Sequence, residues 1–267
     1  MTLRAWRSCS DKTFPAGALA ESPHKPVRVC VASFNTSPAT ELCIRSMRHF
    51  AGHPFELTVG DAGSTDGSLE MLRTFEARGW LTLEVAHDGR RHGDWLTEWH
   101  RRAAGEYLVF VDSDVEFLRH GWLSELVDTS AANQAALVAG EIRPERAFEV
   151  EPVGLRTVRI ARRAAPWLLL IDSERTADIP ESFCFHKEET DAVPEGVISY
   201  DVGAWFLHRV VERGGLCVEM PPDFRRAFHH YGGLSWVRVG GRRGLKMRRD
   251  LWRVSRHLRR LRRLQDR

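Results

Sequence analysis

The hydrophobic pattern is sharpest at Tyr107–Val111, five apolar residues without a polar break, followed at once by Asp112, Ser113 and Asp114. Such a run predicts a strand buried on both faces, as in a parallel sheet covered by helices. Upstream, short apolar runs alternate with stretches of helical period. Residues 27–34 predict a first strand. Ser37 and Pro38 supply an N-cap and a first-turn proline. Cys43, Met47 and Phe50 fall on one face of the helix they open, and Gly52 and Pro54 end it. Phe55–Gly60 predicts a second strand, followed by a helix with Leu69, Leu72 and Phe75 inward. Leu81–Val85 predicts a third strand and residues 93–104 a third helix. Strict alternation of strand and helix predicts an α/β fold with a parallel sheet and right-handed crossovers.

Past Asp114 the order loosens. A helix is predicted over residues 120–131, a strand over Ala135–Gly140, an apolar run at Trp167–Ile171 and a helix over 202–213. Residues 141–200 give no clear period, and residues 1–26, punctuated by Pro15, Pro23 and Pro26, read as a leader. Near the end, Leu251, Val254, Leu258, Leu261 and Leu264 recur every three or four residues. Arg253, Arg256, Arg259, Arg260, Arg262 and Arg263 fill the remaining arc. That is an amphipathic helix with a basic polar face.

Composition adds two points. At 267 residues, 43% hydrophobic and 28% charged, the chain is a soluble globular protein with a full core. Its net charge of +3 conceals an asymmetry: residues 241–267 carry 12 Lys and Arg against Asp250 and Asp266, and the rest is acidic. Cys9, Cys30, Cys43, Cys184 and Cys217 are odd in number, widely spaced and free of C-x-x-C. This argues against a disulfide framework or zinc site and for reduced thiols in the cytoplasm. No stretch has the apolar length to span a bilayer, and the N-terminus lacks the apolar core of a signal peptide.

Ligands in open α/β sheets bind beyond the carboxyl ends of the strands. Three loops should meet there, the first with Ser33 and Asn35, the second with Asp61, Gly63, Ser64 and Asp66, and the third with Asp112 and Asp114. If the last segment is extended, Asp112 and Asp114 point the same way, and a divalent cation that also holds phosphate oxygens relieves their repulsion. The alternative is a polar turn closing the strand. Gly63 and Gly67 permit a tight backbone beside a helix N-terminus, whose free amides suit an anion, although an ordinary capped turn has the same composition. No P-loop occurs, and no G-x-G-x-x-G follows the first strand, which argues against a nicotinamide enzyme.

Four segments in order, VCVASFN at 29–35, CIRSM at 43–47, DAGSTDGS at 61–68 and GEYLVFVDSD at 105–114, resemble the inverting glycosyltransferases of family 2. The resemblance is close over 27–120 and looser to 236. It implies a GT-A fold, a Rossmann-like, mostly parallel sheet with helices on both faces, to which the basic C-terminal helix is added. It divides the chain into a leader at 1–26, a transferase domain at 27–236 and the basic segment at 237–267. Within the domain, 27–120 would bind a nucleotide-sugar and 121–236 the acceptor. Ser33, Asn35, Asp61, Gly63, Ser64, Asp94 and Ser113 would bind the nucleotide-sugar, Asp61 through the nucleobase. Asp112 and Asp114 would hold Mn2+ or Mg2+ on the diphosphate. His230, in His230-Tyr231-Gly232-Gly233-Leu234-Ser235, would close over the phosphates or metal.

Two departures stand out. Before Gly105 the family's asparagine-glycine pair is replaced by His92-Gly93, with Trp95 and Thr97 at later positions. The family's glutamate-aspartate pair near the acceptor is missing. Asp201 is the candidate general base, with Glu188, Glu189 and Asp191 as alternatives, and Asp201 could equally cap the helix after it. The implied reaction moves a sugar from a UDP, GDP or dTDP donor to the hydroxyl of a sugar or lipid-linked acceptor, with inversion. Two rivals stay open. One is a nucleotidyltransferase, for which the loop after the first strand lacks an arginine-rich signature. The other is nucleic-acid binding through the tail, against which the acidic body and missing reader motif argue. The tail either packs on the body or lies on an anionic cytoplasmic membrane leaflet as a peripheral anchor.

Overall fold

The computed structural model describes residues 6–8, 25–150, 156–234 and 242–265. Cys9 and Ser235, and most of the leader, lie outside them. The chain forms two compact units. The first comprises residues 1–27, 91–109 and 127–221, and the second residues 28–90, 110–126 and 222–267.

In the second unit, the strands Val27–Ser33, Glu56–Asp61 and Thr82–Val85 pair in parallel. The register sets Ser33 beside Asp61 and Asp61 beside Val85, so the strands end level with one another. The helix Ser37–Phe50 follows the first strand. Leu42, Cys43, Ile44 and Met47 are sealed from solvent, each burial contributing roughly 1.5–3 kcal/mol for the larger side chains. Its N-cap is Thr36 rather than Ser37, and Pro38 sits in the first turn as expected. The predicted second helix is Ser68–Ala77, with Leu72 and Phe75 inward and Leu69 only half-buried. The strand Val115–Phe117 pairs antiparallel with Phe228–His230, and Phe117 stacks on Trp122 at 3.9 Å.

The apolar run is the strand Tyr107–Asp112, with Leu108, Val109 and Phe110 fully buried. In the first unit, strands lie in the order Trp6–Ser8, Cys217–Glu219, Leu137–Ala139, Leu168–Asp172. The first three are parallel and the last is antiparallel. Part of the leader is therefore a strand. The region without a clear period holds a small sheet ordered His186–Glu189, Val197–Tyr200, Arg156–Ile160, Arg146–Val150.

The basic segment is the helix Arg242–Gln265, in the second unit. Val254, Leu258 and Leu261 are buried against Ala39, Leu42, Tyr231 and Leu234. Arg262 pairs with Glu41, and the Gln265 amide donates to the Arg45 carbonyl at 3.0 Å. The apolar stripe thus covers the protein's own core, and Leu251, Leu264 and Trp252 remain exposed. No helix among the described residues is long and apolar enough to cross a membrane.

Candidate functional site

The level strand ends of the second unit carry the first two predicted loops. Asn35 is a non-glycine residue in the left-handed region, at φ 53°. A small polar side chain tolerates this by bonding locally. Its amide donates to Ser64 Oγ at 2.9 Å, and its Oδ1 accepts from the Thr65 amide at 2.8 Å. Asp66 joins the loops again, accepting from the Ser37 amide at 2.9 Å and the Ser68 amide at 3.0 Å. These bonds, with that of Ser68 Oγ, hold its carboxyl below the usual range although burial opposes them. Ser33 Oγ lies 3.3 Å from Thr40 Oγ1, and Thr36 Oγ1 is 3.1 Å from Ser113 Oγ. Asn35, Ser64, Asp61 and Gly63 thus form one hydrogen-bonded group, and Ser33, Thr40, Thr36 and Ser113 another.

Asp61 closes the strand Glu56–Asp61. It is 0% exposed. Its Oδ1 accepts from the amides of Gly63 and Ser64 at 3.0 and 2.8 Å, and its Oδ2 from Ser64 Oγ at 2.7 Å. The carboxylate shapes its own turn, and Gly63, at φ 86°, supplies the left-handed corner.

Asp112, Asp114 and His230 each present a ligand atom within 4.8 Å of the others. His230 Nε2 is 3.2 Å from Asp114 Oδ1 and 3.6 Å from Asp112 Oδ2. The hairpin partnership of Val115–Phe117 with Phe228–His230 creates this meeting, because it sets His230 opposite Val115. The turn beyond His230 reverses through Gly232 and Gly233, at φ 66° and 76°. It returns the Tyr231 amide to the Asp114 carbonyl at 3.0 Å and the Leu234 amide to Asp114 Oδ2 at 3.5 Å. Asp114 is 8% exposed and is fixed by backbone on both its carbonyl and its carboxylate. Two carboxylates and one imidazole nitrogen could hold a divalent metal of the Mn2+ or Mg2+ type, with positions left for phosphate oxygens. Cys43 lies beneath, its Sγ 3.5 Å from the Asp112 carbonyl. Burial, with the charges of Asp114 and Asp112, pushes its thiol well above the ordinary range, so it stays protonated.

Asp94 and Asp201 belong to the first unit. Asp94 closes a capping box with Arg91 at the start of the helix His92–Arg102, and Cys184 Sγ donates to its Oδ1 at 3.0 Å. Arg91 first and Cys184 second hold this carboxyl below its ordinary value. Gly93, expected to stand in for the family's glycine, is buried in the helix, where an added Cβ would lie 2.8 Å from Cys184 Cα. Asp201 pairs with Arg163 and accepts the Val202 amide at 2.8 Å. The cap of the next helix is Gly203, so Asp201 is not the N-cap. Of the alternatives, Glu188 accepts from Tyr200 Oη at 2.9 Å, while Glu189 and Asp191 are exposed.

Two residues of this neighbourhood escaped the sequence. Glu116 is a 4% exposed carboxylate next to the metal candidates, and His257 reaches it from the tail helix at 2.6 Å. The available signals were a lone charge within Val115-Glu116-Phe117 and a histidine three residues after Val254 on the apolar seam.

A mostly parallel sheet with helices and paired aspartates at the end of a buried strand has the architecture of α/β proteins that bind ligands beyond their strand ends. The glycosyl transferase family 2 model matches residues 28–209, and the chain belongs to that family. The fold is GT-A. Among solved structures, a mannosyltransferase from Pyrobaculum calidifontis in complex with GDP-Man and Mn2+ is similar, with TM-score 0.54 and 18% identity over 74% of this chain. The present chain spans about half of that protein, 55%. The glucosyl-3-phosphoglycerate synthase of Mycobacterium tuberculosis, in complex with phosphoglyceric acid, gives TM-score 0.51 and 16% identity over 95% of this chain and 86% of its own. No curated protein sequence matches significantly.

Proposed function

We propose that the protein transfers a sugar, with inversion, from a nucleoside-diphosphate sugar to an acceptor hydroxyl in a metal-dependent reaction. The observation that carries this is the convergence of Asp112, Asp114 and His230 within 4.8 Å at the end of a buried strand in a family 2 chain. These three residues hold the metal, Mn2+ or Mg2+, and the imidazole nitrogen favours Mn2+. A divalent cation bound there supplies Lewis-acid neutralisation of charge on the leaving diphosphate. Ser33, Asn35, Gly63, Ser64 and Ser113 form the nucleotide side of the site, with Asp61 keeping the loop in shape. A similar fold solved with GDP-Man and Mn2+ supports this class of donor. Asp94, which caps its own helix, is a further donor-binding residue. Asp201 is the general base, its carboxylate aligned by Arg163 and taking the acceptor proton as the hydroxyl attacks. The acceptor is a sugar or lipid-linked glycoconjugate, and residues 27–236 are the transferase domain.

The full chain is tested against UDP-, GDP- and dTDP-sugars with Mn2+. Release of nucleoside diphosphate from one donor class, abolished by chelation, is expected. Pyrophosphate release from a nucleoside triphosphate and a sugar phosphate, with no diphosphate from any donor, would replace this reading by nucleotidyl transfer.

The enzyme works at an anionic cytoplasmic membrane surface, to which it is held from outside. The apolar stripe of the tail is occupied internally, so the attraction comes from exposed Arg248, Arg249, Arg256, Arg259, Arg260 and Arg263 around Trp252, which is 58% exposed. Each basic residue near such a surface contributes about 1 kcal/mol.

A further inference from the structure

The family match ends at residue 209, yet His230 and the tail helix lie beyond it. Glu116 links the two. A carboxylate this buried is costly unless both oxygens are satisfied. Here Tyr231 Oη donates to Oε2 at 2.7 Å, and His257 Nδ1 donates to Oε1 at 2.6 Å. Tyr231 directly follows His230. Its carbonyl accepts from Lys246 Nζ at 2.8 Å, and Lys246 is anchored by Asp250 at 2.6 Å. The same turn donates two amides to Asp114. The tail therefore grips the turn between two metal candidates at a side chain and at a backbone oxygen. Its apolar residues Val254, Leu258 and Leu261 seat it on Tyr231 and Leu234 of that turn.

We infer that His257 and Lys246 are positioning residues of the metal site. Through Glu116 and Tyr231 they hold the 230–234 turn so that His230 and Asp114 keep their ligand atoms at metal-binding separation. Neither touches the metal. Removing such outer partners of ligands typically costs 10–100-fold in metal affinity. This inference rests on the metal reading above.

The test is Mn2+ affinity of the full chain, measured by calorimetry or by loss of the free Mn2+ resonance signal, well below the melting temperature of every variant. His257→Ala and Lys246→Met should each weaken Mn2+ binding by about tenfold or more. His257→Gln, which keeps a donor for Glu116, should recover most of the loss. Leu57→Ala, a buried position near the start of the strand Glu56–Asp61, serves as the packing control: it should lower the melting temperature and leave Mn2+ affinity nearly unchanged. Folded His257→Ala and Lys246→Met that bind Mn2+ as tightly as wild type would overturn the inference. Loss in Leu57→Ala equal to that in His257→Ala would also overturn it, by showing mere destabilisation. Wild-type protein that binds no Mn2+ would instead overturn the metal reading on which it stands.

Discussion

Asp61 joins a strand end to the loop that follows it. Sequence predicts it at a strand end, and the strand register sets it beside Ser33. Its three acceptor bonds, however, all go to its own loop. Asp61→Ala would leave the Gly63 and Ser64 amides without their partner, at a cost of roughly 1–3 kcal/mol for each buried group that water cannot reach. The expected result is a lower melting temperature together with weaker nucleotide binding. Weaker UDP or GDP binding with unchanged stability would restore a direct contact to the base. Asp112 and Asp114 were readable because an unbroken apolar run fixes where their strand ends. His230 was readable only through family resemblance, since its approach depends on a hairpin spanning more than a hundred residues. Glu116 was in view, but nothing local shows that its partners come from residues 231 and 257.

At the level of elements, the alternating strands and helices up to Asp112 were legible because each carries its own period. The small sheet of residues 146–200 was not. Its strands are four or five residues long, three of them carry charged residues, and His186–Glu189 is mostly exposed, so no alternation marks a buried face. The tail helix was legible as amphipathic, but amphipathicity does not say whether water, lipid or protein meets the apolar side. Glu41 answers for its last turns. Burial alone would raise its carboxyl, yet Arg262 and Arg45 bring it below its ordinary value of 4.5. A carboxylate depressed in the folded state gives stability that is complete above the unfolded value and fades as pH falls through the folded one. Hydrogen exchange of the helix 242–265 should therefore accelerate below about pH 4.5 before the rest of the second unit opens. Glu41→Gln should weaken protection at neutral pH and flatten the acid dependence. Unchanged exchange in that variant would show that apolar packing alone holds the helix.

On the scale of the whole molecule, an acidic body carries a basic helix whose inner face packs on its own core. The membrane attraction we propose for the exposed arginines would be electrostatic and reversible, since exposed charges are screened within about 8 Å at physiological ionic strength. Full-length protein should co-sediment with vesicles containing anionic lipid at low salt and be released as salt rises. Replacing Arg256, Arg259, Arg260 and Arg263 by glutamine should abolish pelleting without unfolding the helix. Equal binding to neutral vesicles, or preferential binding to RNA, would contradict a lipid partner. All of this is subordinate to the claim that Asp112, Asp114 and His230 form a metal site serving a nucleotide-sugar. The most direct measurement is Mn2+ binding to wild type and to Asp114→Asn, each with UDP and with GDP present. The account predicts one Mn2+ per wild-type chain, tightened by one of the nucleotides. It predicts a loss of at least about a hundredfold in a variant that stays folded, at or beyond the cost of losing an outer partner. Wild-type affinity retained by folded Asp114→Asn would contradict it.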